Sequence, residues 1–282
     1  MMMRWDDWEI IKGDGALGTC VLGADLKSVN EEVAVTYIKE LLFEHRMLVF
    51  RDQTLTPLAH EQFSMQFGPL RKPPGRQCVA STNFLQQVIK REEDEYNFGG
   101  SWHADGSFQP HPPMATILQA IDLPKAGGDT LFADCVLAYE RLSEDTQSKI
   151  ADLMGIHRAH GITDPAKYSP GAAHKSPGVG TAVSHPVVGC HPHSKKKYLY
   201  VNPAFTRQII GFSDAESDAL IDELSMHIIK PETVYRHQWR AGDVVMWDNK
   251  TTQHCAVNDY GGTRREMHRS VVYEDLDVME TP

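Results

Sequence analysis

Cysteine is scarce and its few copies follow no pairing pattern: Cys20, Cys78, Cys135, Cys190 and Cys255 are odd in number, scattered, and form no C-x-x-C. That excludes a disulfide framework and a zinc knuckle, and it leads us to expect a reducing cytoplasm. Long apolar runs are missing as well. No stretch approaches the ~18 residues of a membrane span, and the start Met1-Met2-Met3-Arg4-Trp5 lacks the apolar core of a signal peptide. Positive charge is in deficit, with 28 Lys and Arg against 38 Asp and Glu and a net charge of −10. This argues against nucleic acid or an anionic membrane as partner, although a buried anionic ligand depends on local arginines and is not excluded. Neither Gly99-Gly100 nor Gly127-Gly128 sits in a G-x-G-x-x-G or G-x-x-x-x-G-K-S/T frame, so phosphate cradles drop out and tight turns remain. Internal repeats and interdomain linkers are also lacking.

What is present begins with His103-Ala104-Asp105 and His254, each in a strand-like segment led by an aromatic residue. On an extended strand residues i and i+2 point to one side, so His103 and Asp105 can take adjacent corners of one metal ion while His254 closes a third corner from another strand. Two imidazoles and a carboxylate, with no thiolate, form a facial set that suits non-haem Fe(II) and leaves coordination positions open. In a chain with 14 histidines, His-x-Asp alone is a weak signal. Company strengthens it. In Arg264 to Val272, alternation puts Arg265, Met267 and Arg269 on one face of a strand, where guanidinium groups can grip a carboxylate. Without the triad, a solvated basic strand is the simpler reading of that segment.

Ser28-Val29-Asn30-Glu31 reads as a capping box opening an amphipathic helix with Val29, Val33, Tyr37, Ile38, Leu41 and Leu42 on one side. It feeds a strand from Met47 to Phe50. Thr56-Pro57 starts a second helix that Gly68 ends. From about Ala115 short strands dominate, with helices expected near 135–154 and 214–228, the latter opened by a box from Ser213 to Glu216. The segment 157–182, rich in Gly, Pro, His and Lys, reads as a long loop of the lid type. The run His191-Pro192-His193-Ser194-Lys195-Lys196-Lys197 reads as a hairpin turn between Val183–Val188 and Tyr198–Asn202. The expected fold is mostly β with flanking helices, a cupin-like double-stranded β-helix or jelly roll in a single domain over 1–282.

A series of short motifs runs nearly end to end: Gly23-Ala24-Asp25-Leu26, Leu48-Val49-Phe50-Arg51-Asp52-Gln53, Gln66-Phe67-Gly68, Trp102-His103-Ala104-Asp105 and Gly127-Gly128-Asp129-Thr130-Leu131. They continue with His185-Pro186-Val187-Val188, Val201-Asn202, Trp247-Asp248-Asn249, Gln253-His254 and Met267-His268-Arg269. In this order and spacing the chain resembles the taurine dioxygenase/TfdA family of Fe(II)- and 2-oxoglutarate-dependent oxygenases.

The resemblance implies Fe(II) ligation by His103, Asp105 and His254, with 2-oxoglutarate and O2 as co-substrates. It implies that Thr130 and Arg265 hold the distal carboxylate of 2-oxoglutarate. Arg269 matches the arginine that reaches a substrate anion, and its charge can equally serve the 2-oxoglutarate end. Around the substrate, the His, Tyr and Asn of the taurine enzyme are matched by spacing with Pro73, Arg76 and Gly99, and a pocket serine by the region of Ile162; Phe205 is a further candidate wall residue. Taurine is therefore not the expected substrate, and a small acid joined to a larger apolar body is. The implied reaction hydroxylates a substrate C–H while 2-oxoglutarate becomes succinate and CO2. Desaturation or another oxidative rearrangement on the same scaffold stays open, as does a non-catalytic jelly-roll metal sensor, though a sensor has no need of Thr130 and Arg265. Asp105 disfavours halide ligation, since the halogenating relatives carry Gly or Ala there. Trp102 and Trp247 serve either the pocket or the core, and Cys255 is no partner for His254, because neighbours on a strand face opposite ways. The resemblance also suggests a homo-oligomer.

Overall fold

A computed structural model describes residues 7–13, 15–72, 78–159 and 179–274. The chain opens with strands β1 (Glu9–Ile11) and β2 (Thr19–Leu22), helix α1 (Glu32–His45), β3 (Met47–Phe50), α2 (Pro57–Met65) and β4 (Gln86–Lys90). Next come β5 (Ala115–Asp122), β6 (Thr130–Asp134), α3 (Cys135–Glu140), α4 (Glu144–Ile150), β7 (Met154–Ala159), β8 (Val179–Pro186), β9 (Val188–Cys190), β10 (Lys197–Leu199) and β11 (Thr206–Ile209). Helix α5 (Asp214–Ile228) leads to β12 (Val234–His237), β13 (Val244–Asp248), β14 (Thr252–Ala256) and β15 (Arg265–Val272).

The main sheet has the order β1-β2-β3-β13-β5-β15-β4, and β12-β6-β14 forms a three-stranded sheet opposite its inner face. Apolar residues on both sides of a strand require cover on both sides, and the sequences MLVF and VVMWD have that character. In β3 and β13, Leu48, Phe50, Val244 and Met246 pack with Ile38, Leu41 and Leu42 of α1 and Phe63 of α2. Their alternating neighbours Met47, Val49, Val245 and Trp247 turn inward to Leu118, Met267 and Phe132. The Phe132 and Trp247 rings meet edge-on at 5.3 Å, which joins the two sheets in one core. The expected helix-buttressed jelly roll is the fold observed.

Helix α1 departs from its expected start. Glu31 is the N-cap and offers no side-chain cap, because the Ser28 hydroxyl is already spent on the turn, donating to Asp25 O at 2.8 Å. The buried stripe is Ala34, Val35, Ile38, Leu41 and Leu42, whereas Val33 is exposed. Thr56 caps α2 as expected, and Ser213 with Glu216 closes a complete capping box on α5. The helix expected near 135–154 is two short ones, since Asp134 caps α3 and Ser143 starts α4 afresh.

The expected 157–182 loop is corrected at both ends. Residues 157–159 belong to β7 and 179–182 to β8, and the two strands pair antiparallel from Met154↔Pro186 to Ala159↔Val179; the rest lies outside the described residues. The apolar alternation is hidden there because the interior position is a polar one. His157 is fully buried in a hydrogen-bonded ring with Ser107 Oγ (3.2 Å) and Thr206 Oγ1 (3.4 Å), closed by Asn202, whose Nδ2 donates to Ser107 and whose backbone N–H donates to Thr206. Burial pushes the His157 imidazole down to about 3, so the ring is neutral. The hairpin expected around His191 is present as β9 and β10. His191 Nε2 lies 2.9 Å from buried Asp248 Oδ2, and His193 stacks on Phe43 and pairs with Glu274. Both histidines are structural.

Candidate functional site

His103 and His254 face each other across a single antiparallel bridge, exchanging backbone hydrogen bonds of 3.1 and 2.9 Å. Directly opposed residues present their side chains to the same face, and the two imidazole centroids are 4.1 Å apart. Asp105 does not continue a strand; it opens a turn in which Gly106 has φ +64°, and a Cβ there would lie 2.6 Å from Pro113 Cδ. The i, i+2 relation still brings its carboxylate round. Asp105 Oδ1 is 3.6 Å from His103 Nε2 and Oδ2 is 4.0 Å from His254 Nε2. One ligand atom from each of the three lies within 4.8 Å of the others, the sole such cluster among the described residues.

The surroundings orient the three side chains and bias their charge. His103 Nδ1 donates to the Ser101 carbonyl at 2.7 Å, which turns Nε2 towards the cluster. Burial, with His103 and Arg269 nearby, holds His254 well below the usual imidazole range. Burial alone would raise Asp105, but Arg269 and the two imidazoles outweigh it and hold the carboxyl well below its ordinary value. Thr116 Oγ1 donates to Asp105 Oδ2 at 2.8 Å and itself accepts from Asn249 Nδ2. Two imidazole nitrogens and one carboxylate oxygen are a donor set that fits Fe(II).

The cluster opens on a cavity lined by Val88, Phe98, Gly99, Leu118, Thr130, Trp247, Ala256, Arg265, Met267 and Arg269. The expected face of β15 is thus observed, with Arg265, Met267 and Arg269 all on the wall. Arg265 is buried, and neither its Nε nor its Nη2 has a hydrogen-bond partner among the described residues. Gly128 is required beside it: with φ +73°, its missing Cβ would lie 3.2 Å from Arg265 Cδ. Thr130 Oγ1 accepts from Trp239 Nε1 at 3.0 Å, so its own proton is free to point elsewhere, and the Trp239 ring lies 5.9 Å from the Arg265 guanidinium. Arg269 donates to Gln86 Oε1 at 3.0 Å and to Asp105 Oδ1 at 2.6 Å. Gly99 lies on the wall beside His103. Phe205 sets its ring edge-on to His103 at 6.1 Å and is not among the lining residues. Arg76, Pro73 and Ile162 lie outside the described residues.

The family model for the taurine catabolism dioxygenase TauD, TfdA family matches residues 12–271. The chain belongs to the TauD/TfdA family. Among its relatives, an alkylsulfatase of Acinetobacter baylyi is 33% identical over 93% of this chain and 83% of its own length. The alpha-ketoglutarate-dependent 2,4-dichlorophenoxyacetate dioxygenase of Cupriavidus pinatubonensis is 32% identical over 90% and 93%. The crystal structure of a taurine dioxygenase from Burkholderia xenovorans superimposes with a TM-score of 0.79 at 30% identity, covering 95% of this chain and 90% of that one. This TauD/TfdA protein is an oxidoreductase, an Fe(II)- and 2-oxoglutarate-dependent dioxygenase that uses O2 to hydroxylate a substrate C–H.

Several supporting residues of this dioxygenase escape sequence reasoning. Trp239 lies between β12 and β13 in a segment with no periodicity, and Thr116 reads as an ordinary β-branched strand residue. Tyr260 lies close enough to Arg265 to favour its charge. Burial raises the Cys255 thiol to about 11, consistent with an inert strand residue beside His254. No helix of the described residues is long and apolar enough to cross a membrane.

Proposed function

We propose that His103, Asp105 and His254 hold Fe(II), that Arg265 and Thr130 hold the distal carboxylate of 2-oxoglutarate, and that Arg269 receives the anionic group of the substrate. The observation that carries this reading is Arg265: a buried cation whose Nε and Nη2 have no partner among the described residues faces the same cavity as the triad. A desolvated guanidinium is costly until a carboxylate meets it, and its planar edge suits a bidentate grip. Thr130, with its oxygen already accepting from Trp239, has a hydrogen to offer the same carboxylate. Bound Fe(II) supplies the oxygen chemistry, coupling decarboxylation of 2-oxoglutarate to C–H hydroxylation. The chain's own residues orient the two organic molecules and keep water out. A metal sensor would leave the Arg265 cation without a purpose.

The substrate we infer is a small carboxylate, sulfonate or sulfate ester on an apolar or aromatic body. Arg269 supplies the fixed charge, while Val88, Phe98, Leu118 and Met267 supply apolar wall. The names of the alkylsulfatase and of the 2,4-dichlorophenoxyacetate dioxygenase support the same class. We also infer a homo-oligomer working in the cytoplasm, a location supported by five free thiols. Succinate formation with Fe(II) and 2-oxoglutarate, measured across taurine, alkyl sulfates and aryloxy acids, tests the reading. Alkyl sulfates or aryloxy acids should stimulate turnover and taurine should do so poorly. Efficient taurine turnover, or a preferred neutral substrate indifferent to Arg269→Ala, overturns it.

A further inference from the structure

We propose that Arg269 is shared between Asp105 and the substrate anion, so that a divalent metal and the anion each tighten the binding of the other. The proposal rests on the metal and anion sites assigned above, but its test separates the two.

The geometry is specific to Arg269. One terminal nitrogen is tethered to the neutral Gln86 Oε1 on β4, and the other sits 2.6 Å from Asp105 Oδ1, with both ionic side chains nearly buried. The second carboxylate oxygen is taken by the Thr116 hydroxyl. The one anionic group of the cluster is thus paired with a cation. A dication drawn to Asp105 must be held against the field of Arg269 in a poorly screened site, and every unit of positive charge counts there. An anion arriving on Arg269 cancels that opposing charge. The reverse also holds: a metal that engages Asp105 leaves the Arg269 charge less neutralised and more attractive to an anion. A guanidinium carries five N–H donors, so it can keep the Gln86 tether while it receives an anion. Arg265 makes no ion pair with Asp105 and is unsuited to this role; its neighbours are Trp239 and Tyr260 at the other end of the wall.

Linkage demands reciprocity: whatever factor the anion applies to metal affinity, the metal applies to anion affinity. The experiment titrates the full chain with Mn(II) by calorimetry, as wild type, Arg269→Gln and Arg269→Lys, each with and without hexyl sulfate. Arg269→Gln should bind Mn(II) about 10-fold tighter than wild type, within the usual range of coupling between sites, whereas Arg269→Lys, which keeps the charge, should stay closer to wild type. Hexyl sulfate should tighten Mn(II) on wild type roughly 5-fold or more and leave Arg269→Gln unchanged. Equal or weaker Mn(II) binding in Arg269→Gln overturns the proposal. So does hexyl sulfate that binds wild type without changing its Mn(II) affinity. Should hexyl sulfate fail to bind at all, the substrate reading falls, and the ratio of wild type to Arg269→Gln still decides the coupling. Should Arg269→Gln fail to fold, the reciprocal factors measured on wild type decide it.

Discussion

Replacing Arg265 by methionine should move two quantities in opposite directions. Arg265 is 6% exposed, its Nε and Nη2 have no acceptor among the described residues, and burial works against its charge. Methionine fills much of the same volume without a charge to desolvate. Exchanging a buried, poorly compensated ion for a packed apolar side chain is commonly neutral or stabilising by ~1–4 kcal/mol. The ligand-free variant should therefore unfold at the same denaturant concentration as wild type or a higher one. The 2-oxoglutarate complex should suffer. Losing a bidentate, charge-assisted pair inside a dry pocket costs roughly 2–5 kcal/mol. At ~1.4 kcal/mol per tenfold this raises the 2-oxoglutarate KM by about 30-fold to several thousand-fold. The assay is initial-rate succinate formation over a range of 2-oxoglutarate at saturating Fe(II) and substrate, beside denaturant unfolding of the ligand-free protein. An unchanged KM would refute the assignment. So would a loss of ligand-free stability as large as the loss of affinity, because Arg265 would then be bracing the fold.

Thr130→Ala should raise the same KM by less, at about 1.5–3 kcal/mol for one hydrogen bond to a charged group, and Trp239→Phe should raise it in the same direction by freeing the Thr130 hydroxyl to turn; no KM change in Thr130→Ala would remove the residue from the site. Asp105→Ala, His103→Ala and His254→Ala should each abolish O2-dependent turnover and weaken Fe(II) binding, whereas His193→Ala should do neither; near-normal turnover in Asp105→Ala would mean that the metal lies elsewhere. His60 gives a stability test. It is fully buried between Gln119 and Ser270, and burial depresses it from 6.5 to about 4. The unfolded chain therefore binds the proton first as pH falls, so the stability due to neutral His60 is complete above about 6.5 and is lost progressively towards about 4. A depression of that size corresponds to roughly 3 kcal/mol. Denaturant unfolding at pH 7 and pH 4.5 should show a smaller drop in His60→Gln than in wild type, and equal drops would discount the group.

The legible part of this molecule is the part set by local spacing. His103 and Asp105 converge because they are two apart, and Arg265, Met267 and Arg269 share a wall because a strand alternates. Thr116 and Asn249 were not legible, because their hold on Asp105 depends on β13 pairing with β5, where Trp247 meets Thr116 and Asp248 meets Ala115. That register is set by packing between distant segments and leaves no mark on either one alone. The arms of 157–182 were hidden for a related reason. A buried histidine at 157 looks like a loop residue until Ser107, Asn202 and Thr206 are brought round it by two other segments. Ser28 misled by the same physics in reverse, since a short polar side chain serves a turn as readily as a helix cap.

The division of labour between the two arginines of β15 follows from strand geometry. At ~3.4 Å per residue, positions four apart lie ~13–14 Å apart along the chain, too far for both guanidinium groups to grip one end of a small dicarboxylate when each has its own neighbours. Arg269 reaches back to Asp105 and so belongs to the metal end of the cavity. Arg265 lies beside Trp239, Tyr260 and the Gly127-Gly128 turn, where Asp259 Oδ1 accepts from the Gly128 backbone N–H at 2.7 Å and braces the chain around it. Between them Met267 offers no charge. On the proposed assignment, a five-carbon diacid anchored at Arg265 and reaching the metal with its other end would leave Arg269 to a second anion, the substrate's.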